Sequence, residues 1–129
     1  MSDQRNIEAL RRLYEAFESQ DVDGLRELMA GCTWHIPGDG ILAGTYRGAE
    51  EILGMFARGA EETGGTLSFV VHDVIGDAEH VVGLDRVTGK RGDRAIDMNR
   101  VVIAHGREGI LTEIWLVPED QYDFDEFWG

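Results

Sequence analysis

The pattern of hydrophobic and polar positions changes its period near the middle of the chain. In three segments before residue 64, apolar side chains recur every three or four positions, which is the spacing of one face of an α-helix. From Thr66 to Pro118, apolar segments alternate with short turn segments, which is typical of β-strands joined by hairpins. We therefore predict an α+β domain in which helices stack on one face of a curved, mostly antiparallel sheet and leave a hollow between the two layers.

Three helices are predicted before the sheet. The first covers residues 4–19, and the second begins after Asp21, a favourable N-cap residue, and ends at Gly31. The third begins near Ala49 and carries Glu50 and Glu51 in its first turn, where negative charge favours a helix. The apolar positions expected to face the core are Ile7, Leu10, Leu13, Tyr14 and Phe17, then Val22, Leu25, Leu28 and Met29, then Ile52, Leu53, Met55, Phe56 and Ala60.

The segments around these elements predict a short strand, a loop and a closing tail. Residues 32–37 predict a strand that ends at Pro37, and residues 38–48, which hold four glycines, predict a loop. The hairpin turns are predicted at residues 76–77, 90–93 and 106–109. After Pro118, acidic residues alternate with aromatic ones, which are expected to fold over the open end of the sheet or onto a partner. These aromatic residues are Tyr122, Phe124, Phe127 and Trp128.

Composition narrows the possible partners and compartments. The chain of 129 residues predicts one domain, residues 1–129, and contains no apolar run long enough for a membrane span. With 25 acidic and 12 basic side chains, its net charge of −13 would repel nucleic acid and anionic membranes. The polar N-terminus lacks a signal-peptide pattern, and the single cysteine, Cys32, fits a reducing cytoplasm. No pair of histidines has metal-binding spacing, so we predict no metal and no other cofactor.

Alternation along the strands leaves two candidate sets of residues for the inner face of the sheet, because successive side chains point to opposite faces. One set is Gly83, Asp85, Val87, Met98, Arg100, Val102, Thr112, Ile114 and Leu116, and the other is Val82, Leu84, Arg86, Asp97, Asn99, Val101, Leu111, Glu113 and Trp115. Both sets contain apolar residues, so periodicity alone does not choose between them. A sheet that is apolar on both faces usually buries both, one under helices and one in a dimer.

Three segments of the chain resemble one protein family. They are LYEAFESQDVDGLRELMA at residues 13–30, TWHIPGDGILAGTYRGAEEIL at residues 33–53 and REGILTEIWLVPEDQYDFDEFW at residues 107–128. Together with the order of helices and strands, they resemble the SnoaL-like and limonene epoxide hydrolase-like branch of the nuclear transport factor two-like superfamily. The resemblance implies a cone-shaped roll whose sheet wraps around the three N-terminal helices. Because isomerases, aldol cyclases, epoxide hydrolases, dehydratases and binding modules share this fold, the fold alone assigns no activity.

The resemblance selects the set that contains Asp85 as the inner face of the sheet. It places a catalytic carboxylate of the epoxide hydrolase branch at Asp85. It places the companion arginine at Gly83 and the second carboxylate at Leu116, and neither residue can perform that chemistry. The pocket tyrosine and asparagine of that branch fall on Trp34 and Ile36.

The predicted site combines one charge pair with an apolar wall. Asp85 is the candidate acid/base, and Arg100 is the candidate group that orients or polarises a ligand oxygen. The predicted ligand-binding residues are Tyr14, Phe17, Trp34, Ile36, Met55, Phe56, Met98, Ile114 and Leu116. Two alternatives remain open at this point. The charge pair could serve only to neutralise itself, since buried charges need partners, and Trp34 could be an ordinary core residue.

These residues lead to an expected function with two alternatives. We expect a cofactor-free isomerase, aldol-type cyclase or dehydratase that acts by general acid/base catalysis on a small, largely apolar molecule such as a polyketide-type metabolite. The alternatives are a non-catalytic ligand-binding or dimerisation module and an epoxide hydrolase-like activity, which the missing second carboxylate disfavours. We also expect a homodimer through the outer face of the sheet, including Leu111, Glu113 and Trp115.

Overall fold

Four helices and six strands make up the described part of the chain. The computed structural model describes residues 4–129, and the first three residues of the polar N-terminus lie outside the described part. The helices are α1 (Gln4–Glu18), α2 (Val22–Met29), α3 (Gly48–Glu62) and α4 (Gln121–Trp128). The strands are β1 (Thr33–Ile36), β2 (Gly44–Arg47), β3 (Ser68–Gly76), β4 (His80–Arg91), β5 (Arg94–Arg107) and β6 (Ile110–Pro118). Within residues 4–129, no helix is both long and apolar enough to cross a membrane.

The six strands form one curved sheet in the order β2–β1–β6–β5–β4–β3. The meander strands β3 to β6 pair antiparallel with their neighbours in sequence, whereas β1 runs parallel to β6. α1 packs against β3, β4 and β6, and α2 and α3 pack against each other. The predicted α+β architecture, with helices on one face of a mostly antiparallel sheet, is confirmed.

α1 is fixed to the sheet by its apolar face and by one buried amide. Its buried residues are Asn6, Ala9, Leu10, Leu13 and Ala16. The Asn6 side chain donates to the carbonyl oxygens of Asp77 and Gly106, both at 3.0 Å, and accepts from the Gly109 N–H at 2.9 Å. These partners lie at the β3–β4 and β5–β6 turns, so one side chain ties the start of α1 to two hairpins.

The glycine-rich segment before α3 contains a strand that the sequence analysis did not predict. Residues 44–47 form β2, an edge strand that pairs antiparallel with β1, and Tyr46 lies opposite Trp34. The surrounding glycines indicated a loop, and the prediction was wrong for these four residues. Thr45 and Tyr46 favour extended backbone, and pairing with β1 gives that preference a partner.

Two helical positions that were predicted to face the core are exposed. Val22, at the start of α2, is 50% exposed, and Ala60 in α3 is also exposed. In α3 the buried face instead passes through Gly59, where an added methyl group would touch Leu42 and Leu67. The apolar stripe of α3 is therefore narrower than the sequence pattern indicated.

The C-terminal tail forms a short helix, α4, against the open end of the sheet. Its N-cap residue, Asp120, accepts a hydrogen bond from the Asp123 N–H at 3.0 Å. Phe124, Phe127 and Trp128 are buried, as predicted for a tail that folds back over the sheet. The same prediction was wrong for Tyr122, which is 75% exposed because it lies on the solvent side of α4.

A β-bulge in β6 reverses the predicted orientation of two residues, Leu111 and Thr112. Gly106 pairs with Leu111, but the preceding residue of β5 pairs with Glu113, which leaves Thr112 without a partner. The bulge shifts the alternation by one residue. Leu111 therefore lies in the core, at 1% exposure, and not on the outer face as predicted. Thr112 is exposed rather than inward-facing, whereas Glu113 and Trp115 keep the predicted outer position.

Candidate functional site

A mostly apolar cavity lies between the helices and the inner face of the sheet. Its volume, counted as the space open to the centre of a water molecule, is about 70 Å³. By this measure one water needs roughly 10–15 Å³, so the cavity has room for several waters or a small organic group. Its lining residues are Leu10, Leu13, Tyr14, Phe17, Trp34, Ile36, Leu42, Met55, Phe56, Gly59, Leu67, Phe69, Val87, Arg100, Val102, Leu116, Phe124 and Trp128.

Asp85 of β4 and Arg100 of β5 form a buried ion pair at the wall of this cavity. The two residues lie directly opposite each other in the strand pairing. Arg100 Nε donates to Asp85 Oδ1 at 2.9 Å, and Arg100 Nη2 donates to Asp85 Oδ2 at 3.0 Å. This two-point contact fixes the plane of the guanidinium group. With Asp85 at 1% and Arg100 at 9% exposure, the pair is shielded from solvent.

Two aromatic side chains complete the surroundings of the pair. The Tyr14 hydroxyl, from α1, donates to Asp85 Oδ2 at 2.6 Å, so the carboxylate accepts three hydrogen bonds that offset the cost of its burial. The guanidinium carbon of Arg100 lies 4.2 Å from the centre of the Phe69 ring, in a cation–π contact. Gly83 leaves space for Tyr14, because a Cβ at Gly83 would lie 2.6 Å from the Tyr14 hydroxyl oxygen.

Arg100 offers hydrogen-bond donors to the cavity. A guanidinium group has five N–H donors, and two of those on Arg100 bond to Asp85. The described residues provide no acceptor for the other three. Among the lining residues given above, Arg100 and Tyr14 are the ones with an ionisable side chain. The cavity can therefore take an apolar molecule whose oxygen meets Arg100.

The phenol of Tyr14 is held in its neutral form. Burial raises the pKa of Tyr14 well above its ordinary value, the Asp85 carboxylate raises it further, and Arg100 acts weakly in the opposite direction. Tyr14 therefore keeps its proton at physiological pH and serves as a donor to Asp85. It is not available as a base for a molecule in the cavity.

The predicted site residues divide between the cavity wall and the core behind it. Those that line the cavity are Tyr14, Phe17, Trp34, Ile36, Met55, Phe56, Arg100 and Leu116. Asp85 does not line it, because Tyr14 and Arg100 cover its carboxylate. Ile114 is fully buried in the core, and Met98 borders a separate surface hollow beside α4.

Several lining residues were absent from the sequence-based set. They are Leu10, Leu13, Leu42, Gly59, Leu67, Phe69, Val87, Val102, Phe124 and Trp128. Val87 and Val102 share the inner strand face with the charge pair, so the alternation of side chains could have found them. To predict that Phe69 lines the cavity, one would need to know where β3 lies relative to Arg100. No local sequence pattern gives that position.

α4 closes one side of the cavity with Phe124 and Trp128. Arg91, at the end of β4, donates from Nη1 to the carbonyl oxygens of Phe127 at 3.0 Å and Gly129 at 2.7 Å. The Ile41 N–H donates to the carbonyl oxygen of Trp128 at 2.8 Å. The end of α4 is therefore tied both to the sheet and to the segment before β2.

The outer face of the sheet carries a row of rings rather than a cavity. His35 stacks on Trp115 with ring centres 5.4 Å apart, and its Nε2 lies 2.5 Å from a carboxylate oxygen of Glu113. His105 packs edge-on against Trp115 at 4.9 Å. His35 thus points away from the hollow, as predicted from its alternation with Trp34. Across residues 4–129, no group of three or more histidine, cysteine or acidic residues is arranged to hold a metal ion.

A curved sheet closed by helices around an apolar cavity defines a small-molecule pocket protein. Residues 10–114 match the model of the SnoaL-like domain, and the chain belongs to this family. The predicted resemblance to SnoaL-like proteins is therefore confirmed.

Individual proteins extend this similarity to the full chain. Bal32a, from a soil-derived mobile gene cassette, is 34% identical with a TM-score of 0.92, and the match covers 98% of each chain. TerC, which was co-crystallised with polyporic acid, is 23% identical with a TM-score of 0.82, and the match covers 95% of this chain and 97% of TerC. An uncharacterised Mycobacterium tuberculosis protein is 23% identical over 131 aligned positions, which cover 100% of both chains.

Proposed function

We propose that this protein binds a small, flat, largely apolar molecule in its cavity and that an oxygen of the molecule accepts hydrogen bonds from Arg100. The supporting observation is that Arg100 lines an apolar cavity and retains three N–H donors after pairing with Asp85. These donors border an otherwise apolar cavity, so a carbonyl or enolate oxygen of a bound molecule is their natural partner. A polyketide-type metabolite fits this chemistry, and the similar TerC was crystallised with polyporic acid.

In this proposal Asp85 is a positioning residue. It fixes the guanidinium through two hydrogen bonds and also orients Tyr14. An arginine held in one plane has already lost the side-chain freedom that a ligand would otherwise have to restrict. The charge pair thus prepares the cavity for a carbonyl or enolate oxygen while itself staying behind the wall.

Catalysis is the second candidate function, with Asp85 as base and Arg100 as the group that stabilises an enolate. The observation in its favour is that the Asp85 carboxylate lies directly behind two cavity-lining residues, Tyr14 and Arg100. A shift of Tyr14 would open one carboxylate oxygen to an α-proton of a carbonyl compound. Isomerisation, aldol-type cyclisation and dehydration all begin with such a proton transfer. Epoxide hydrolysis receives less support, because Leu116 and Gly83 occupy the positions of its second carboxylate and its arginine.

A pair of matched probes tests the binding proposal. Acetophenone carries a carbonyl oxygen, and isopropylbenzene has a similar shape with no acceptor. We expect the protein to bind acetophenone more tightly, as measured by calorimetry or by quenching of tryptophan fluorescence. Equal affinity for the two probes, or no binding of either, would contradict the proposal.

Arg100→Lys tests whether this preference comes from the guanidinium. Lysine retains the charge opposite Asp85 but loses the planar fork of donors, so the preference for acetophenone should fall by about three- to tenfold. Arg86→Lys is the matched control, since Arg86 is an exposed arginine on the neighbouring strand, bonded to Asp97 at 2.6 Å. The control should keep the full preference.

Exchange of protons for deuterium separates catalysis from binding. If Asp85 acts as a base, the protein should accelerate exchange of the acetyl protons of acetophenone in heavy water, followed by proton NMR. Asp85→Asn should then slow this exchange by about 10²–10⁴-fold. A protein that binds acetophenone without accelerating the exchange is a binding module, and catalysis by Asp85 would be rejected.

We further propose that the outer face of the sheet forms a homodimer. Val117 is 44% exposed on this face, two residues after Trp115 on β6, and Val70 on β3 is 65% exposed. Apolar surface of this kind is typical of a face that another chain covers. Val117→Glu should shift the protein to monomers in analytical ultracentrifugation, whereas Val22→Glu, on the exposed side of α2, should not. A monomeric wild-type protein at high micromolar concentration would disprove the dimer.

A further inference from the structure

Trp34 presents a buried donor that nothing in the protein satisfies. Its indole Nε1 is the one buried side-chain nitrogen or oxygen in residues 4–129 that has no hydrogen-bond partner. Trp34 is 7% exposed and lines the cavity. Its ring is held in place by an edge-to-face contact with Phe56, with ring centres 5.1 Å apart. An indole N–H is a donor only, so it requires an acceptor from outside the side chains around it.

A buried unsatisfied donor in a native fold calls for an explanation, because it costs roughly 1–3 kcal/mol. The other buried polar side chains in the described part of the chain have partners: for example, Asn6 has three hydrogen bonds, and Asp85 has three. Trp34 therefore differs from the rest of the interior. Packing alone would not require an N–H group at this position.

We propose that Trp34 Nε1 is the second hydrogen-bond donor of the site and that the ligand carries two oxygen acceptors, one for Arg100 and one for Trp34. The inference rests on the proposed ligand-binding function and narrows its ligand class. The ligand is an aromatic or otherwise flat molecule with oxygens at separate ends, such as a diketone or a quinone.

The fold supports two separate acceptors rather than one shared oxygen. Arg100 lies on β5 and Trp34 on β1, with β6 between them. Trp34 pairs with Ile114, which pairs with Ala104, four residues along β5 from Arg100. At about 3.3 Å per residue and about 4.8 Å per strand, the two backbones are well separated in both directions of the sheet. Since Nε1 is covered, the ligand must displace neighbouring apolar side chains slightly to reach it.

The indole N–H signals in NMR spectra provide a direct test. The protein has three tryptophans, and Trp115→Phe and Trp128→Phe assign the Trp34 signal by elimination without changing Trp34. The probes are para-diacetylbenzene, which has two carbonyl oxygens, and para-isopropylacetophenone, which has a similar shape and one. We expect para-diacetylbenzene to move the Trp34 N–H signal downfield and para-isopropylacetophenone to leave it nearly in place.

Affinities of the same two probes provide the second test. The wild-type protein should bind para-diacetylbenzene about three- to tenfold more tightly, the range expected for one hydrogen bond, and Trp34→Phe should abolish that preference. Trp115→Phe, which changes a ring on the outer face of the sheet, should leave the preference intact. If both probes bind equally and the Trp34 signal does not distinguish them, the second donor is disproved while Arg100 binding stands. If neither probe binds, both proposals fail.

Discussion

β4 and β5 carry two arginine–aspartate pairs, one on each face of the same sheet. On the inner face, Arg100 meets Asp85 at 2.9 Å with side-chain exposures of 9% and 0%. On the outer face, Arg86 meets Asp97 at 2.6 Å with side-chain exposures of 50% and 63%. The chemistry and the contact distances are alike, and both pairs join the same two strands. Burial and the neighbouring residues differ.

The surroundings decide what each pair contributes. The outer pair is hydrated, and exposed ion pairs of this kind are worth about 0.2–1 kcal/mol. The inner pair has lost its water, and Tyr14 and Phe69 replace part of that solvation. Removing one partner on the outer face frees a charge into solvent, whereas on the inner face it leaves a buried charge unpaired. The inner pair therefore contributes more to folding stability than the outer pair, and its arginine also lines the cavity.

Replacing the arginine of each pair should give the largest difference in stability between the two faces. Arg100→Met leaves Asp85 buried without its cation and should lower the free energy of unfolding by about 3–5 kcal/mol. Arg86→Met should lower it by less than about 1 kcal/mol. Urea unfolding followed by circular dichroism measures both values. Similar losses for the two variants would mean that the inner pair is open to water.

Removing the hydroxyl group of a buried tyrosine should cost more stability than removing that of an exposed one. Tyr14→Phe deletes the 2.6 Å hydrogen bond to the Asp85 carboxylate and should cost about 1.5–3 kcal/mol, the range for bonds to charged groups. Tyr122→Phe, on a side chain that is 75% exposed, should change stability by less than about 0.5 kcal/mol. The same urea titrations decide the matter, and an unchanged Tyr14→Phe midpoint would argue that this bond is absent in solution.

Two glycine substitutions should change stability in opposite directions. A Cβ at Gly83, on the inner face, would lie 2.6 Å from the Tyr14 hydroxyl oxygen, so Gly83→Ala should cost about 1–3 kcal/mol. Gly54, on the exposed side of α3, has no atom within 4 Å of an added Cβ. Gly54→Ala should therefore stabilise the helix by about 0.5–1 kcal/mol. Melting temperatures should fall for Gly83→Ala and rise for Gly54→Ala. An unchanged melting temperature for Gly83→Ala would show that Tyr14 can shift freely.

Alkaline pH should lower the free energy of unfolding through Tyr14, by less than the substitutions above. Burial first, and Asp85 next, raise the pKa of Tyr14 above its ordinary value of 10.0. Above pH 10 the unfolded chain releases this proton while the folded chain keeps it. The stability from this group, complete below pH 10, is then lost by about 1.4 kcal/mol per pH unit. Unfolding free energies between pH 9 and 11 should fall less steeply for Tyr14→Phe than for Tyr122→Phe, and parallel curves would contradict the raised pKa.

Local patterns predicted those parts of the molecule that depend on neighbours in sequence. Three- and four-residue spacing located α1, α2 and α3, and alternation put Asp85 and Arg100 on the same face of adjacent strands. The alternation failed at Leu111, because a bulge at Thr112 shifts the register by one residue. No feature of the apolar pattern distinguishes that bulge from a regular strand, since residues of either parity in β6 are apolar.

The sequence by itself determined α1 to α3, β1 and the four meander strands, because these follow from side-chain spacing along a regular backbone. It also placed Asp85 opposite Arg100 on one face of the sheet, and its resemblance to a known family selected that face as the inner one. Only the tertiary structure decided that Tyr14, 71 residues before Asp85 in sequence, covers the carboxylate and leaves Arg100 to meet the cavity. It likewise decided that α4 closes the pocket and that Trp34 Nε1 lacks a partner. Contacts over such sequence separations depend on how whole layers pack, and no window of a few residues contains that information.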